Sequence, residues 1–186
     1  AVIGTIVAKS ARGLVFGDGT GYVYYYNQNY TQSDYNVGDI KRISGTMGSY
    51  NHVYQFTSSA DIEAASSSNY NNTPAVQILD ATGIAAYNNN LHLSDYVQIE
   101  GTLVKSGNYY NLQVEGLSTD ASIAYPTSTQ QTELDALENK TVIVKGYFAG
   151  VSSNHFNIVL ESVEEVVSTD PSITLSYYEI NATADA

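Results

Sequence analysis

The chain has no cysteine and no tryptophan, and only three prolines and one methionine among 186 residues. Without cysteine it can form no disulfide, no iron–sulfur cluster and no cysteine-ligated zinc site. No run approaches the 18 or so apolar residues that a membrane-spanning helix needs, and the amino terminus lacks the basic-then-apolar pattern of a signal peptide. We therefore expect no membrane insertion by this segment, and we interpret it as a mature or excised piece of a longer protein.

Basic residues are also scarce, with 7 Lys and Arg against 19 Asp and Glu and a net charge of −12. The excess is uneven: residues 1–70 carry four basic and five acidic side chains, whereas residues 71–186 carry three and fourteen. A basic patch is the usual footprint of a nucleic-acid-binding surface, so this balance argues against strong, salt-driven binding of that kind. Weak or local contacts with nucleic acid stay open.

What the chain has in abundance is tyrosine, 17 residues in all, together with Asn, Ser, Thr and Gly. This composition favours strands joined by polar turns. The clearest hairpin runs from Leu14 to Tyr26, where Asp18-Gly19 supplies the turn residues.

Two segments repeat one another: Gly4-Thr5-Ile6-Val7-Ala8-Lys9-Ser10 returns as Gly101-Thr102-Leu103-Val104-Lys105-Ser106. The offset of 97 at Gly4 grows to 103 if Asn51-His52 is matched to Asn154-His155, as expected when loops lengthen in a duplicated unit. The repeat therefore predicts two domains.

The second copy shows five predicted strands with a helix, expected at Thr132–Glu138, between the third and the fourth. This order is typical of the OB-fold, a small Greek-key barrel. We thus predict a mainly β chain with two tandem OB-like five-stranded barrels. The expected division is module 1 at 1–64, a linker with a short strand and helix at 65–95, module 2 at 96–167, and a tail at 168–186.

The string Gly13–Tyr26, followed by Val37-Gly38-Asp39 and Ile43–Thr46, resembles the OB-fold modules of secreted bacterial nucleases and surface lipoproteins. The second module, with Tyr96–Gly101 and Val144-Lys145-Gly146, resembles companion domains of such proteins, and the tail resembles the entry strand of an immunoglobulin-like domain. The resemblance implies an extracellular or cell-surface protein, lipid-anchored in its full-length form, with further domains in the same polypeptide. Such modules occur both as nucleic-acid readers and as spacers.

The strand Tyr22–Tyr26 carries the candidate site. Side chains alternate along a strand, so Val23 and Tyr25 share one face and the other three tyrosines share the opposite face. The resemblance to modules with aliphatic residues at the places of Val23 and Tyr25 implies that these two lie in the core, and we expect a ladder of exposed rings on the other face. In OB-folds this region, with the loops that join strands one and two and strands four and five, is the binding face, so stacking on bases or sugars is expected. The predicted ligand-binding residues are Lys9, Arg12, Tyr22, Tyr24, Tyr26 and Tyr50.

A competing interpretation is that these tyrosines only stabilise the sheet or pack on the second module. The function predicted from the sequence is accordingly a non-catalytic module that recognises an oligosaccharide or single-stranded nucleic acid through its aromatic face. The alternative is a structural spacer or accessory domain of a larger surface enzyme such as a nuclease. The sequence does not separate the two ligand classes.

Catalytic and metal-binding signatures are missing from the sequence. The loop Gly17–Gly21 lacks the lysine of a phosphate-binding loop and joins two strands, and no serine-hydrolase elbow or calcium-loop spacing occurs. We interpret His52 and His155 as turn residues and the glutamates near Glu161 as a solvated acidic face. We expect no enzyme activity, no metal and no cofactor.

Overall fold

The structure, a computed structural model, describes residues 1–67 and 74–167. The strands of the first half are β1 (Val2–Ser10), β2 (Gly13–Gly17), β3 (Tyr22–Tyr26), β4 (Ile40–Ser44), β5 (Met47–Tyr50), β6 (Val53–Phe56) and β7 (Asp61–Ala64). The second half holds β8 (Gln77–Leu79), α1 (Ala81–Ala86), β9 (Tyr96–Ser106), β10 (Tyr109–Gln113), β11 (Ala121–Ile123), α2 (Ser128–Asp135), β12 (Thr141–Ser152) and β13 (His155–Glu165). The predicted tail strand lies outside the described residues.

The first sheet curls into a barrel. Strands β1, β2 and β3 form an antiparallel meander, β6 runs parallel to β3, and β4 pairs antiparallel with β1. After a break at Gly45, where φ is +154°, the chain continues from β4 into β5, which pairs with β6. The fourth strand of the barrel is thus bent into two segments, and the bend brings the two ends of the sheet together.

The second sheet has the same connectivity without that break. Its strands follow the closed order β9, β10, β11, β13, β12 and back to β9, with the β11–β13 pair parallel and the others antiparallel. Helix α2 lies between the third and fourth strands of this barrel, and β8 adds to β9 as a parallel neighbour. The prediction of two OB-like barrels is confirmed.

In both barrels, the glycine of the repeated Gly-Thr segment lies close to the backbone of the neighbouring strand in the first hairpin. A Cβ on Gly4 would lie 2.8 Å from the Gly17 carbonyl oxygen, and a Cβ on Gly101 would lie 2.5 Å from that of Gln113. Between Ile6 and Ala8 the register shifts by one residue. This bulge absorbs the extra residue of the first copy, because the repeat offset falls from 97 at Gly4 to 96 at Ser10.

The match of Asn51-His52 to Asn154-His155 was wrong by one residue. The turn between β5 and β6 is Asn51-His52, and its counterpart between β12 and β13 is Ser153-Asn154; all four have positive φ. Two-residue hairpin turns require this backbone conformation at both positions, which fixes the match. His155 therefore begins β13 rather than lying in a turn, and its Nδ1 is 2.7 Å from the Asp120 carbonyl oxygen.

Helix α2 begins four residues earlier than Thr132, the start predicted from the sequence. Thr127 is the N-cap: its hydroxyl accepts from the Gln130 amide, and the Gln130 side chain accepts from the Thr127 amide. This reciprocal pair forms a capping box. Thr132 and Asp135 have the spacing of a second capping pair, but both lie inside the helix. Helix α1, in the predicted linker, has Asp80 as its N-cap, and the Asp80 carboxylate accepts from the Gly83 amide.

Each barrel has its own apolar core. Phe16, Tyr25 and Phe56 are among the buried residues of the first, and Phe148 and Phe156 are among those of the second. Val53, from the first barrel, is fully buried in the second core. None of the helices that the structure describes is both long and apolar enough to cross a membrane.

The Gly101→Ala variant should unfold about 2 kcal/mol more easily than wild type, since its Cβ would overlap a backbone oxygen that cannot move without distorting the hairpin. Urea unfolding followed by circular dichroism measures this difference. Gly48→Ala is the matched control, because a Cβ at that strand position meets nothing within 4 Å. Equal stability of the two variants would contradict the close approach.

Candidate functional site: the tyrosine face of the first barrel

Strand β3 presents two differently used faces. Val23 and Tyr25 point into the first core, as the resemblance to related modules implied. The opposite side, which we call the tyrosine face, carries Tyr22, Tyr24 and Tyr26. Tyr22 is 4% exposed and Tyr24 is 2% exposed, while Tyr26 is half-buried. Both sides of the strand are therefore largely removed from water.

The second barrel covers the tyrosine face. Tyr147 of β12 and Val159 of β13 belong to the same buried cluster as Tyr22 and Tyr24. The rings of Tyr22 and Tyr147 are 4.7 Å apart between centroids, and Tyr147 stacks in turn on Tyr96 at 4.9 Å. These distances are those of attractive aromatic pairs, so the barrels meet through a packed layer of rings.

A carboxylate anchors this layer at its edge. The hydroxyls of Tyr96 and Tyr147 both donate to Glu161, the Tyr147 oxygen at 3.3 Å from Glu161 Oε1. Glu161 lies two residues after Val159 on β13, and its hydrogen bonds to both tyrosines place its carboxylate beside the ring layer. It accepts from the hydroxyl of Tyr147, whose ring is buried, and from that of Tyr96, whose ring is half-buried.

The prediction of exposed rings at Tyr22 and Tyr24 was wrong. An alternating strand pattern separates the core side from the other side, but it does not say whether water or a second domain covers the other side. Burial raises the pKa of the Tyr24 hydroxyl well above its ordinary value, because the phenolate would lose its hydration. No ligand can stack on these two rings while the barrels are docked.

Arg12 lies in the loop between β1 and β2, where it was expected, and it stays exposed. Its guanidinium carbon is 4.6 Å from the ring centroid of Tyr125, at the end of the third strand of the second barrel. The Tyr125 ring is 6.0 Å from that of Tyr26. The structure thus brings Arg12 and Tyr26 together, and it adds a tyrosine from the other barrel.

The two remaining predicted residues lie elsewhere. Lys9 is half-buried, and its Nζ donates to the carbonyl oxygens of Gln32 and Tyr35 at 3.4 and 3.0 Å. Tyr50 is 65% exposed at the end of β5. No contact joins Tyr50 to Arg12 or Tyr26 in the part of the chain that the structure describes, so the predicted set does not form one surface.

Sequence reasoning missed the partners of the tyrosine face, namely Tyr96, Tyr125, Tyr147, Val159 and Glu161. A usable signal was present. Residues 146–151, Gly-Tyr-Phe-Ala-Gly-Val, are apolar at every position rather than at every second one. Such a run is typical of a strand buried on both sides, and Tyr22–Tyr26 shows the same pattern.

The histidines and acidic residues are the candidate metal ligands of this chain. Among those that the structure describes, no group of three His, Asp or Glu side chains could hold a metal ion. His92, the histidine not assigned to a turn, stacks on Tyr87 at 4.1 Å and lies 3.6 Å from an Asp95 carboxylate oxygen. Tyr87 also donates to Asp95, so the three side chains form a structural cluster beside the second core.

Comparison with known proteins identifies no family. No protein-family model matches the chain, and no curated protein matches it. Among solved structures, a murine DNA-binding protein solved with double-stranded DNA aligns with a TM-score of 0.39 and 8% identity, covering 88% of this chain and 96% of that one. A replication protein A heterotrimer bound to single-stranded DNA aligns with a TM-score of 0.38 and 10% identity, covering 92% of this chain and 49% of that one. At such values the ligands of those proteins say nothing about a ligand of this chain.

Alkaline pH should weaken the first barrel through Tyr30, whose hydroxyl donates to the carbonyl oxygens of Ser10 and Gly13. Burial raises the pKa of Tyr30 to about 12, above the ordinary value of about 10 for an unfolded chain. The neutral phenol therefore contributes stability that is complete below about pH 10 and is lost as the pH rises through about 12.

The Tyr30→Phe variant should be less stable than wild type at pH 8, and its deficit should shrink as the pH approaches 12. Urea unfolding at a series of pH values measures the difference between the two proteins. Tyr50→Phe, at an exposed position, should follow wild type throughout. A Tyr30→Phe deficit that is constant with pH would contradict the assignment.

Proposed function

We propose that this chain is a non-catalytic, rigid pair of barrels in which the second barrel docks onto the aromatic face of the first. The burial of Tyr22 and Tyr24 under β12 and β13 is the observation that carries the proposal. A surface that would otherwise bind a ligand is used here to fix the orientation of two modules. The pair then acts as a structural spacer or accessory unit.

Contacts at separate places support a fixed orientation. The Ala11 amide donates to the Tyr125 carbonyl at 2.6 Å near one end of the tyrosine face. Around the hairpin of β5 and β6, the Val151 amide donates to the Asn51 carbonyl at 2.6 Å, and Val53 inserts into the second core. Two bodies held at more than one place cannot swivel about a single contact, so they move as a unit.

The setting that we propose for this unit is a larger secreted or lipid-anchored bacterial surface protein, with further domains in the same polypeptide. The basis is the resemblance of Gly13–Tyr26 and the segments after it to modules of such proteins. A spacer of fixed shape would hold a neighbouring domain at a set distance and angle from its attachment point.

Recognition of an oligosaccharide or single-stranded nucleic acid is the second candidate function. Beside the interface, Arg12 is exposed and Tyr26 is half-buried. Both residues belong to the predicted binding set. An arginine beside aromatic rings can bind an anionic group and a stacked ring together. This function is compatible with docking, because it uses only the border of the tyrosine face.

Removing one docking ring tests the main proposal. In the full chain, Tyr147→Ala should cost about 3 kcal/mol of stability through the lost packing, and it should loosen the second barrel from the tyrosine face. Small-angle X-ray scattering should then show a larger maximum dimension, and the nuclear Overhauser effects that join the two barrels across the tyrosine face should weaken.

Tyr109→Ala is the matched control, because Tyr109 is 71% exposed on β10. This variant should keep the wild-type maximum dimension and the wild-type inter-barrel nuclear Overhauser effects. If the Tyr147→Ala protein keeps the wild-type dimensions and inter-barrel contacts, docking through the rings is not what orients the barrels.

A further inference from the structure

The boundary between the barrels contains a group of three side chains that docking assembles but does not bury. We call Arg12, Tyr26 and Tyr125 the junction site. Arg12 and Tyr26 come from the first barrel and Tyr125 from the second, and Tyr125 is 44% exposed. We propose that the junction site binds a sugar residue carrying a carboxylate, within an oligosaccharide. This proposal rests on the docked arrangement of the proposed function.

The state of Arg12 is the first argument. In residues 1–67 and 74–167 it forms no salt bridge with a carboxylate, although the chain holds 19 acidic residues. Its guanidinium instead lies over the Tyr125 ring at 4.6 Å. Hydrogen bonding to the Tyr26 hydroxyl and, to a lesser extent, to the Tyr125 hydroxyl raises the pKa of Arg12. Two neutral hydroxyls neither compensate the positive charge nor engage all five N–H donors of a guanidinium, so its fork-shaped edge keeps donors for a ligand. That edge matches the two oxygens of a carboxylate.

Most of the other cationic side chains pair with carboxylates or donate to backbone carbonyls. Few cations are therefore left to bind an anion that carries several charges. The pairs are Lys41 with Asp39, Arg42 with Glu63, Lys105 with Asp135 and Lys140 with Glu165, and Lys9 donates to two backbone carbonyls. Lys145, on β12, is the remaining cationic side chain of the described residues, and one lysine does not make a row of cations that continues from Arg12. A phosphate backbone is usually followed by a positively charged groove. One exposed arginine in an acidic chain suits one carboxylate better.

The aromatic rings supply the second contact. Tyr26 and Tyr125 are 6.0 Å apart with their planes inclined by 46°, so they form an open corner rather than a slot for a flat base. One side of the Tyr125 ring faces Arg12, whereas Tyr26 is half-buried and keeps part of its surface open. A pyranose ring can lay its C–H face on such a tyrosine while its hydroxyls stay hydrated.

The backbone at Tyr125 is the third argument. Its φ is +45°, a left-handed conformation that is costly for a bulky residue. The other non-glycine residues with positive φ in the described chain are Asn, Ser and His. The Ala11 amide holds Tyr125 in place through its carbonyl at 2.6 Å. Strained backbone of this kind clusters at ligand-binding positions, and here it holds an aromatic ring beside an arginine that has no carboxylate partner in the described residues.

Titration of the full chain with trigalacturonate, followed by NMR chemical shifts, tests the proposal. We expect a dissociation constant of about 1 mM, as for a small exposed site, and shifts centred on the junction site. Arg12→Ala should weaken binding about tenfold or more, because it removes a charge-assisted pair, and Arg12→Lys should weaken it less. Tyr125→Ala should also weaken binding, although its residue lies in the other barrel.

Three controls make the result decisive. Arg42→Ala removes an arginine that already pairs with Glu63 and should leave the dissociation constant unchanged. The methyl-esterified trisaccharide should bind far more weakly, since it lacks the carboxylate. Trithymidylate should bind more weakly than trigalacturonate.

Tighter binding of trithymidylate that depends on Arg12 would overturn the ligand class in favour of nucleic acid. Equal binding of the methyl ester, or no binding of any probe at about 10 mM, would overturn the site itself. Inter-barrel nuclear Overhauser effects recorded on the same sample show whether the barrels are docked. Failure of binding with docking intact therefore counts against the junction site alone, not against the rigid pair.

Discussion

The packing of Tyr147 and Tyr96 on Tyr22, in the cluster that also buries Tyr24, is the contact on which the arrangement of this molecule depends. Each ring buries a large apolar area, and the aromatic pairing adds directional attraction. An exposed face of this size on a lone barrel would be a liability for association. Covering it with the second barrel removes that liability and sets the angle between the two modules.

The duplication has produced two barrels with complementary outer surfaces. The first offers strands β1 to β3, with Val15, Tyr22 and Tyr24 facing outward, and the second offers the outer side of β12 and β13. The second barrel also brings Glu161, which accepts from two tyrosine hydroxyls at the border. One fold is thus used twice, once as the receiving surface and once as the covering surface, and their border leaves Arg12 accessible.

The fold was largely predictable from local patterns. The Asp-Gly hairpin and the Gly-Thr repeat depend on interactions between near neighbours, and both led to the right elements. Alternation separated the two faces of Tyr22–Tyr26, and the resemblance to related modules indicated that Val23 and Tyr25 form the core side. The helix start was misplaced because two capping patterns compete in 127–135, and only the structure shows which one closes. The exposure of Tyr22 and Tyr24 was predicted wrongly for a different reason: burial between domains depends on residues more than 70 positions away. The site residues that do meet, Arg12 and Tyr26, were found because a loop and a strand end adjoin in any OB-like barrel.

Chemical modification of tyrosine is the most direct test of the docked tyrosine face. Brief nitration of the native chain, followed by peptide mass spectrometry, reports the accessibility of each ring separately. If the barrels are docked, Tyr22, Tyr24 and Tyr147 should stay unmodified while Tyr50 and Tyr109 react. Modification of Tyr22 and Tyr24 at the rate of Tyr50, in a chain that keeps its native circular dichroism, would contradict the account.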